Sequence, residues 1–226
     1  APEDLKPMSL ETAIQIMDYL GVAAFAVSGA LKAGRREMDL FGMFVLALIT
    51  AVGGGTLRDI LLGRTPLFWV HDANYLGLCV IATLVVFGLQ RWITRGERAL
   101  LICDAVGIGV FTVIGVSCAQ EAGVGAAAAI ALGCLTAIGG GILRDLVALT
   151  RPVVLHKEIY ALASLGGAAL LVLLNYLGAP ATLSVVACGV VVTGIRLLSL
   201  HYGWTVPGTA FLTGQPAGES PFDEQH

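Results

Sequence analysis

The chain has 226 residues, of which 57% are apolar and 13% are charged, and it carries a formal net charge of −3 with a mean hydropathy of +0.85. A water-soluble fold of this length cannot hide so much apolar surface behind so few charges, which excludes a soluble domain and indicates an integral membrane protein. The small negative charge provides no basic surface, so we expect no binding to nucleic acid.

Seven apolar stretches, separated by charged residues, glycine or proline, are long enough to cross a bilayer as helices. They cover residues 14–33, 39–63, 74–90, 100–119, 124–150, 159–177 and 183–201. Residues 1–13 are polar and lack the basic start and apolar centre of a cleaved signal, so we expect the first stretch to be a retained helix. Residues 202–226 form a polar tail. The sequence therefore predicts an all-α membrane protein with seven transmembrane helices.

The second and fifth stretches contain the same unusual motif, Gly-Gly-Gly-x-x-Arg-Asp. Its residues are Gly53, Gly54, Gly55, Arg58 and Asp59 in the second stretch and, 86 positions later, Gly139, Gly140, Gly141, Arg144 and Asp145 in the fifth. Three consecutive glycines weaken a helix by roughly 1 kcal/mol each, and arginine and aspartate are costly to place in hydrocarbon. We therefore predict that helices 2 and 5 are broken at the triple glycines, with bared backbone groups along a polar path through the membrane.

The chain is an internal duplication. Shifting it by 86 positions without gaps makes eight of the ten residues in 50–59 identical to those in 136–145. We predict two three-helix repeats, residues 14–90 and 100–177, followed by a seventh helix at 183–201. Because each repeat has an odd number of spans, the second repeat enters the membrane from the opposite side, and the two are inverted.

Further polar residues coincide under the same shift. It superposes Asp18 on Asp104 and Thr50 on Thr136. Neighbouring residues project about 100° apart on a helix, so we expect Arg58 and Asp59 to find separate partners rather than each other. Asp18 and Asp104 are candidate partners for Arg58 and Arg144, in an assignment that the sequence leaves open. These charges either form structural ion pairs or line the path, and the two threonines either line it or bond back to their own helices.

Lysine and arginine concentrate in alternate loops. Lys32, Arg35 and Arg36 follow the first stretch, Arg91, Arg95 and Arg98 follow the third, and Arg144, Arg151 and Lys157 follow the glycines of the fifth. Arg58 and Arg64 are the exceptions. The bias predicts an N-terminus outside and a C-terminus in the cytoplasm. The expected location is the plasma membrane, which is the inner membrane in a bacterium.

Enzymatic and metal-binding signals are missing from the sequence. The five cysteines lie in or beside apolar stretches without CxxC spacing and are interpreted as small hydrophobic residues: Cys79, Cys103, Cys118, Cys134 and Cys188. The chain contains no nucleotide-binding loop and no nucleophile with a matching base. We expect no enzyme activity, no metal and no cofactor.

The doubled glycine motif, the three-plus-three-plus-one arrangement of spans and the chain length resemble a prokaryotic member of the trimeric intracellular cation (TRIC) channel family. The same repeat is also catalogued as a glycine transporter domain. The resemblance covers about residues 14–201. It implies a homotrimer in membrane lipid, with an hourglass pore for potassium and sodium inside each subunit, shaped by kinked second and fifth helices. The polar, acidic segment 208–226 differs from the basic tail of animal members.

Two main hypotheses follow for function. The first is a monovalent cation channel in which carbonyls and hydroxyls replace part of the ion's hydration shell. The second is a secondary transporter for a small zwitterion such as glycine, because inverted repeats with interrupted helices also suit that class. A membrane assembly protein without transport is a third interpretation, against which the repeated charges argue.

Overall fold

Seven α-helices make up most of the chain that this computed structural model describes, which is residues 10–89, 97–155 and 159–204. They are α1 (Leu10–Arg35), α2 (Leu40–Leu61), α3 (Ala73–Leu89), α4 (Glu97–Glu121), α5 (Ala126–Val147), α6 (Ile159–Tyr176) and α7 (Ala181–Tyr202). A 3₁₀ turn, Val153–Leu155, follows α5. The predicted all-α fold is confirmed, and the helix ends lie within a few residues of the predicted ones.

Six of these helices are long and apolar enough to cross a membrane. The shorter α3 is an apolar helix of 17 residues, which give a length of about 26 Å and reach the lower end of the spanning range. The helix termini follow local sequence. The Asp39 carboxylate accepts a hydrogen bond from the Gly42 N–H at 2.7 Å at the start of α2, and α7 ends at Gly203, whose φ of +63° suits glycine.

Helices α1, α2, α4 and α5 form the centre of the molecule. Helix α1 packs against α2 and α4, and α5 packs against the same two helices. The third helix of each repeat lies outside this group, with α3 on α1 and α2 and with α6 on α5 and α4. Helix α7 packs on α4 and α6 and therefore mainly contacts the second repeat. Large apolar side chains such as Phe41, Leu84 and Val190 are exposed on the outer faces, as expected for a surface covered by lipid.

The predicted break at the glycines is wrong. Helix α2 continues as an α-helix through 53–55, and α5 continues through 139–141. In lipid no water satisfies a bared backbone, so the helical hydrogen bonds outweigh the low propensity of glycine. Arg58 and Asp59 consequently lie in the last turns of α2, and not at the start of a second half-helix.

The repeats place their charged residues at opposite ends of the bundle, as inverted repeats must. We call Asp18, Arg58 and Asp59 the first charge cluster, and it lies where α1 begins and α2 ends. We call Asp104, Arg144 and Asp145 the second charge cluster, and it lies where α4 begins and α5 ends. Arg91, Arg95, Lys157, most of the N-terminal segment and residues 205–226 of the tail lie outside the described residues.

Candidate functional site

The middle glycine of each motif lies where α2 and α5 cross. A Cβ atom on Gly54 would overlap the carbonyl oxygen of Thr136, and a Cβ on Gly140 would overlap that of Thr50. Each glycine thus faces the partner helix at the residue four positions before that helix's own middle glycine. Only a residue without a side chain permits this separation of two backbones.

The outer glycines of the motif face other neighbours. A Cβ on Gly53 would lie 2.7 Å from Cδ1 of Leu143, and one on Gly139 would lie 3.2 Å from Cδ1 of Leu57. The third glycines face aromatic side chains, since Gly55 is covered by the ring of Phe68 and Gly141 by the hydroxyl of Tyr160. Successive residues point about 100° apart on a helix. Three consecutive glycines therefore admit three different neighbours, which explains the motif without a break.

The two threonines lie beside this crossing and are fully buried. The Thr50 hydroxyl donates to the Leu46 carbonyl at 2.6 Å, and the Thr136 hydroxyl donates to the Leu132 carbonyl at the same distance. Each therefore bonds back to its own helix in this conformation. Nearby, the buried rings of Phe25 and Phe111 pack together with centroids 5.1 Å apart. The centre of the bundle is closed.

In the first charge cluster the adjacent arginine and aspartate pair with each other. Arg58 donates from Nε and from a terminal nitrogen to Oδ1 of Asp59, at 2.9 and 2.8 Å. The other oxygen, Oδ2, accepts the backbone N–H of Phe68 at 3.0 Å. The expectation that neighbours on a helix would not pair is wrong, because the flexible arginine side chain bends back around the helix. Asp18 instead accepts a hydrogen bond from the Tyr75 hydroxyl.

The second charge cluster is more tightly connected. Arg144 donates to Oδ1 of Asp145 at 3.0 Å and to Oδ1 of Asp104 at 2.6 Å. We call Asp18 and Asp104 the lead aspartates, because each precedes the glycine motif of its repeat. In the second repeat the lead aspartate is therefore a partner of the motif arginine. Arg144 also donates to the Ser28 hydroxyl at 2.6 Å. The Nζ atom of Lys32 lies 3.4 Å from Oδ1 of Asp145. The three members of the cluster are each only 1% exposed.

The two clusters differ in their access to water. A cavity of about 450 Å³ opens beside the first cluster. Its polar lining consists of Gln15, Asp18, Arg58, Asp59, Arg64, Tyr75, Cys118 and Glu121. Shifting the chain by 86 positions places Ser28 on Ile114 and Lys32 on Cys118. Ser28 and Lys32 bond into the second cluster, whereas Ile114 and Cys118 line the cavity of the first. Different residues at equivalent positions therefore accompany the open first cluster and the sealed second cluster.

Asp72 lies in the loop at the open end, outside the helices. Its carboxylate accepts hydrogen bonds from the Tyr19 hydroxyl and from the Asn74 N–H, the latter at 2.9 Å. These bonds, chiefly the one from Tyr19, hold the pKa of Asp72 below its usual value. Asp72 is therefore ionised at neutral pH and adds a negative charge to this end of the molecule. Its repeat equivalent, Glu158, lies outside the described residues.

Sequence reasoning missed three residues that lie beside the charge clusters and the glycine motifs. Tyr75 bonds to Asp18, Tyr160 covers Gly141, and the ring of Tyr160 contacts the guanidinium of Arg196 in α7. The tyrosines gave no signal, because a tyrosine near a helix start is common at a membrane interface. Arg196 did give one, since a charged residue inside an apolar span usually has a function.

The contact between Gly141 and Tyr160 can be tested by a paired substitution. We expect Gly141→Ala alone to destabilise the protein, because the new Cβ would lie 2.6 Å from the Tyr160 hydroxyl oxygen. Adding Tyr160→Phe should restore most of the lost stability, because the next nearest atom is 3.7 Å away, an ordinary contact distance. Melting temperatures of the purified variants check this. Equal melting temperatures for the single and double variants would contradict the assigned contact.

A family model, related sequences and solved structures all identify the same family. The family model described as glycine transporter matches the chain twice, over residues 15–91 and 101–176. A UPF0126 membrane protein of Vibrio cholerae is 46% identical over 161 residues, which cover 70% of this chain and 67% of that protein. The UPF0126 inner membrane protein YadS of Escherichia coli K12 is 43% identical over 152 residues, covering 67% and 73%.

Solved structures extend the similarity to the fold. The TRIC trimeric intracellular cation channel orthologue from Rhodobacter sphaeroides has a TM-score of 0.82 and 42% identity, covering 85% of this chain and 100% of that one. A prokaryotic TRIC channel crystallised in 0.5 M KCl has a TM-score of 0.81 and 30% identity, covering 87% and 100%. These relatives are channels and membrane proteins, which agrees with the prediction that this chain is not an enzyme. The chain is a multi-pass membrane protein that belongs to the prokaryotic TRIC channel family, whose repeat the glycine transporter model also describes.

Proposed function

We propose that this protein is a channel for monovalent cations, with a path inside each subunit that runs along the crossing of α2 and α5. The observation that carries the proposal is the placement of the two charge clusters at opposite ends of this crossing. A path between them would pass Thr50, Thr136 and the two triple glycines. Solved relatives of at least 30% identity are described as TRIC cation channels, which supports the same function.

The charge of the open cavity suits a cation. Three carboxylates, on Asp18, Asp59 and Glu121, face two guanidinium groups, on Arg58 and Arg64. A cavity with an excess of negative charge and apolar walls concentrates cations at its mouth. The cavity has no closed ring of acidic side chains, so we propose that K⁺ and Na⁺ both pass, with modest selectivity.

Conduction requires the crossing to open. The carbonyl groups of Thr50 and Thr136 face the middle glycines of the partner helices. A small sliding or separation of α2 and α5 would expose these carbonyls first, and carbonyl oxygens replace water around a partly dehydrated cation. The glycines then serve two states, since they allow the close contact of the closed state and leave the carbonyls unobstructed in the open one.

The remaining features of the predicted assembly belong to the same proposal. The functional units are the repeats 14–90 and 100–177, with the helix at 183–201 added to the second. The N-terminus lies outside and the C-terminus in the cytoplasm, which places the open cavity on the outer side. The protein forms a homotrimer in membrane lipid, as the Rhodobacter sphaeroides relative is described as trimeric.

A second candidate is a secondary transporter for a small zwitterion such as glycine. The observation that favours it is the asymmetry of the two ends, because a cavity open at one end and a sealed cluster at the other resemble one state of an alternating-access cycle. The name of the matching family model points the same way. Its substrate carboxylate would meet Arg58 in the cavity, and its ammonium group would meet Asp18.

Recording from the purified protein in planar bilayers separates the two candidates. In a potassium chloride gradient we expect discrete current steps that reverse near the potassium potential and do not change when glycine is added to one side. Bilayers prepared from empty liposomes are the control. A silent bilayer, together with saturable glycine uptake into proteoliposomes, would refute the channel and support the transporter.

A further inference from the structure

Arg196 of α7 is a buried guanidinium for which the described part of the chain provides no acidic partner. Its side chain lies in the interior, 2% exposed, with its guanidinium 4.8 Å from the centre of the Tyr160 ring. One terminal nitrogen donates weakly to the Ser199 hydroxyl at 3.4 Å. Among the described residues, Nε and the other terminal nitrogen have no hydrogen-bond partner. These two nitrogens form one edge of the guanidinium, the edge that binds a carboxylate with two parallel hydrogen bonds.

Two more unpartnered polar atoms belong to residues of the same region. They are Oδ2 of Asp104 and the hydroxyl of Tyr160. Together with the two Arg196 nitrogens they are sealed from water by the surrounding helices. A buried polar group without a partner costs roughly 1–3 kcal/mol, and a charged group costs more. In the closed arrangement, Asp104 interacts with the Tyr160 hydroxyl, but Oδ2 of Asp104 receives no hydrogen bond of normal geometry from the described residues. This carboxylate oxygen and the free guanidinium edge of Arg196 would stabilise each other on contact.

The first repeat shows that a lead aspartate does not need its motif arginine. Asp18 accepts the Tyr75 hydroxyl, and among the described residues, Arg58 forms its ion pair with Asp59. The equivalent end of the molecule is open to a cavity. In the second repeat the lead aspartate is held by Arg144, and that end is sealed. The chain thus contains two arrangements of the same residues, and loss of the aspartate–arginine contact accompanies the open one.

We propose that Arg196 competes with Arg144 for the carboxylate of Asp104, and that α7 thereby controls opening of the sealed end. In the open arrangement of this end, Arg196 pairs with Asp104 and Arg144 pairs only with Asp145. Asp104 thereby separates from the other two residues of the second charge cluster. Arg196 is a positioning residue that acts through Asp104. The pairing is a property of the fold, whereas its effect on ion flow rests on the proposed channel function.

Channel recordings of charge variants test the effect on opening. We expect Arg196→Gln to lower the open probability about tenfold at unchanged unit conductance, because Arg144 then holds Asp104 without a competitor. Arg196→Lys, which keeps the positive charge, should restore most of the open probability. Arg98→Gln is the matched control, because it removes an exposed charge from the N-terminal end of α4, and it should leave the open probability unchanged. An unchanged or higher open probability in Arg196→Gln, or no rescue by lysine, would overturn the proposal.

A stability cycle tests the pairing without any assumption about transport. We expect Arg196→Gln to raise the melting temperature of the purified full chain, since it removes an unpaired buried charge. The rise should be larger in an Asp104→Asn background, because there the guanidinium has also lost the electrostatic attraction of the Asp104 carboxylate. Additive effects of the two substitutions, or a melting temperature that falls in Arg196→Gln, would show that Arg196 only packs against Tyr160. If wild-type bilayers are silent while the cycle is non-additive, the channel function fails and the pairing stands.

Discussion

Replacing Gly54 with alanine is expected to lower the melting temperature of the protein and abolish its cation flux. The new Cβ would overlap the carbonyl oxygen of Thr136, a backbone atom that cannot rotate away as a side chain would. The α2 and α5 helices must then separate at their crossing to make room for the methyl group, and this methyl group covers the Thr136 carbonyl that the open path would present to a cation. Forcing extra atoms into a tightly packed interior costs about 1–3 kcal/mol and occasionally more. Gly140→Ala should behave alike, since its Cβ would overlap the Thr50 carbonyl.

The sign of the stability change distinguishes this packing role from a broken helix. In a broken helix, alanine would favour helix formation by about 1 kcal/mol and so raise stability. At a close crossing the same substitution lowers stability. Gly166→Ala in α6 is the matched control, because a Cβ there meets no atom within 4 Å, and it should be neutral or stabilising. Thermal unfolding of the three variants in one detergent measures the difference, and a stabilised, conducting Gly54→Ala protein would refute the crossing as described.

Much of the fold could be predicted from the sequence, because the membrane limits the alternatives. A run of about 20 apolar residues in lipid has to be a helix, so the spans were located to within a few residues. The duplication of 50–59 in 136–145 then determined the inverted arrangement through an odd number of spans. The lead aspartates were recognised by the same duplication, and Asp104 does pair with Arg144.

The prediction for the glycines was wrong because it compared the helix with the wrong alternative conformation. Propensity scales compare a helix with a water-exposed chain, but the alternative for 53–55 is a bared backbone in a membrane. The tertiary contacts of each glycine, such as Phe68 over Gly55, depend on residues distant in sequence. No local pattern could have assigned them.

The pairing of Arg58 with Asp59 was missed for a different reason. The expectation relied on the directions in which the Cα–Cβ bonds point, whereas a four-torsion arginine side chain reaches well beyond that direction. The carboxylate is also held from outside the helix, by the Phe68 N–H. Asp145 is held in the same way by the Val153 N–H at 3.0 Å. Each motif aspartate therefore joins its helix to the following loop, a role that only the folded loop makes visible.

The asymmetry of the two ends follows from a few residues that the duplication did not preserve. Ser28 accepts a hydrogen bond from Arg144 and Lys32 pairs with Asp145 in the second charge cluster, while their equivalents, Ile114 and Cys118, line a cavity at the first. Helix α7 adds Arg196 to one side only. Identical motifs consequently experience different surroundings. The same substitution made at equivalent positions of the two repeats should therefore change the stability of the protein by different amounts. The difference reports how strongly each charge cluster is held together.

The largest such difference is expected between Asp104→Asn and Asp18→Asn. Asp104 lies in a buried ion pair with Arg144, with 2.6 Å between the paired atoms and both side chains 1% exposed. Removing one partner of a buried pair costs roughly 3–5 kcal/mol, because the remaining charge stays in the interior. Asp18 borders the open cavity and accepts a hydrogen bond from Tyr75, which an asparagine side chain can also accept. Its replacement should cost at most about 1 kcal/mol.

Unfolding midpoints of the two variants, measured side by side in the same detergent, check this expectation. Arg144→Met combined with Asp104→Asn should recover part of the stability lost in Asp104→Asn, because it removes the guanidinium that has lost Asp104, while Asp145 keeps the Lys32 ammonium group at 3.4 Å. Arg58→Met combined with Asp18→Asn should show no such recovery, because Arg58 pairs with Asp59. Equal losses in the two repeats would mean that Asp18 and Asp104 have equivalent surroundings. The closed second end would then not depend on the Asp104–Arg144 pair.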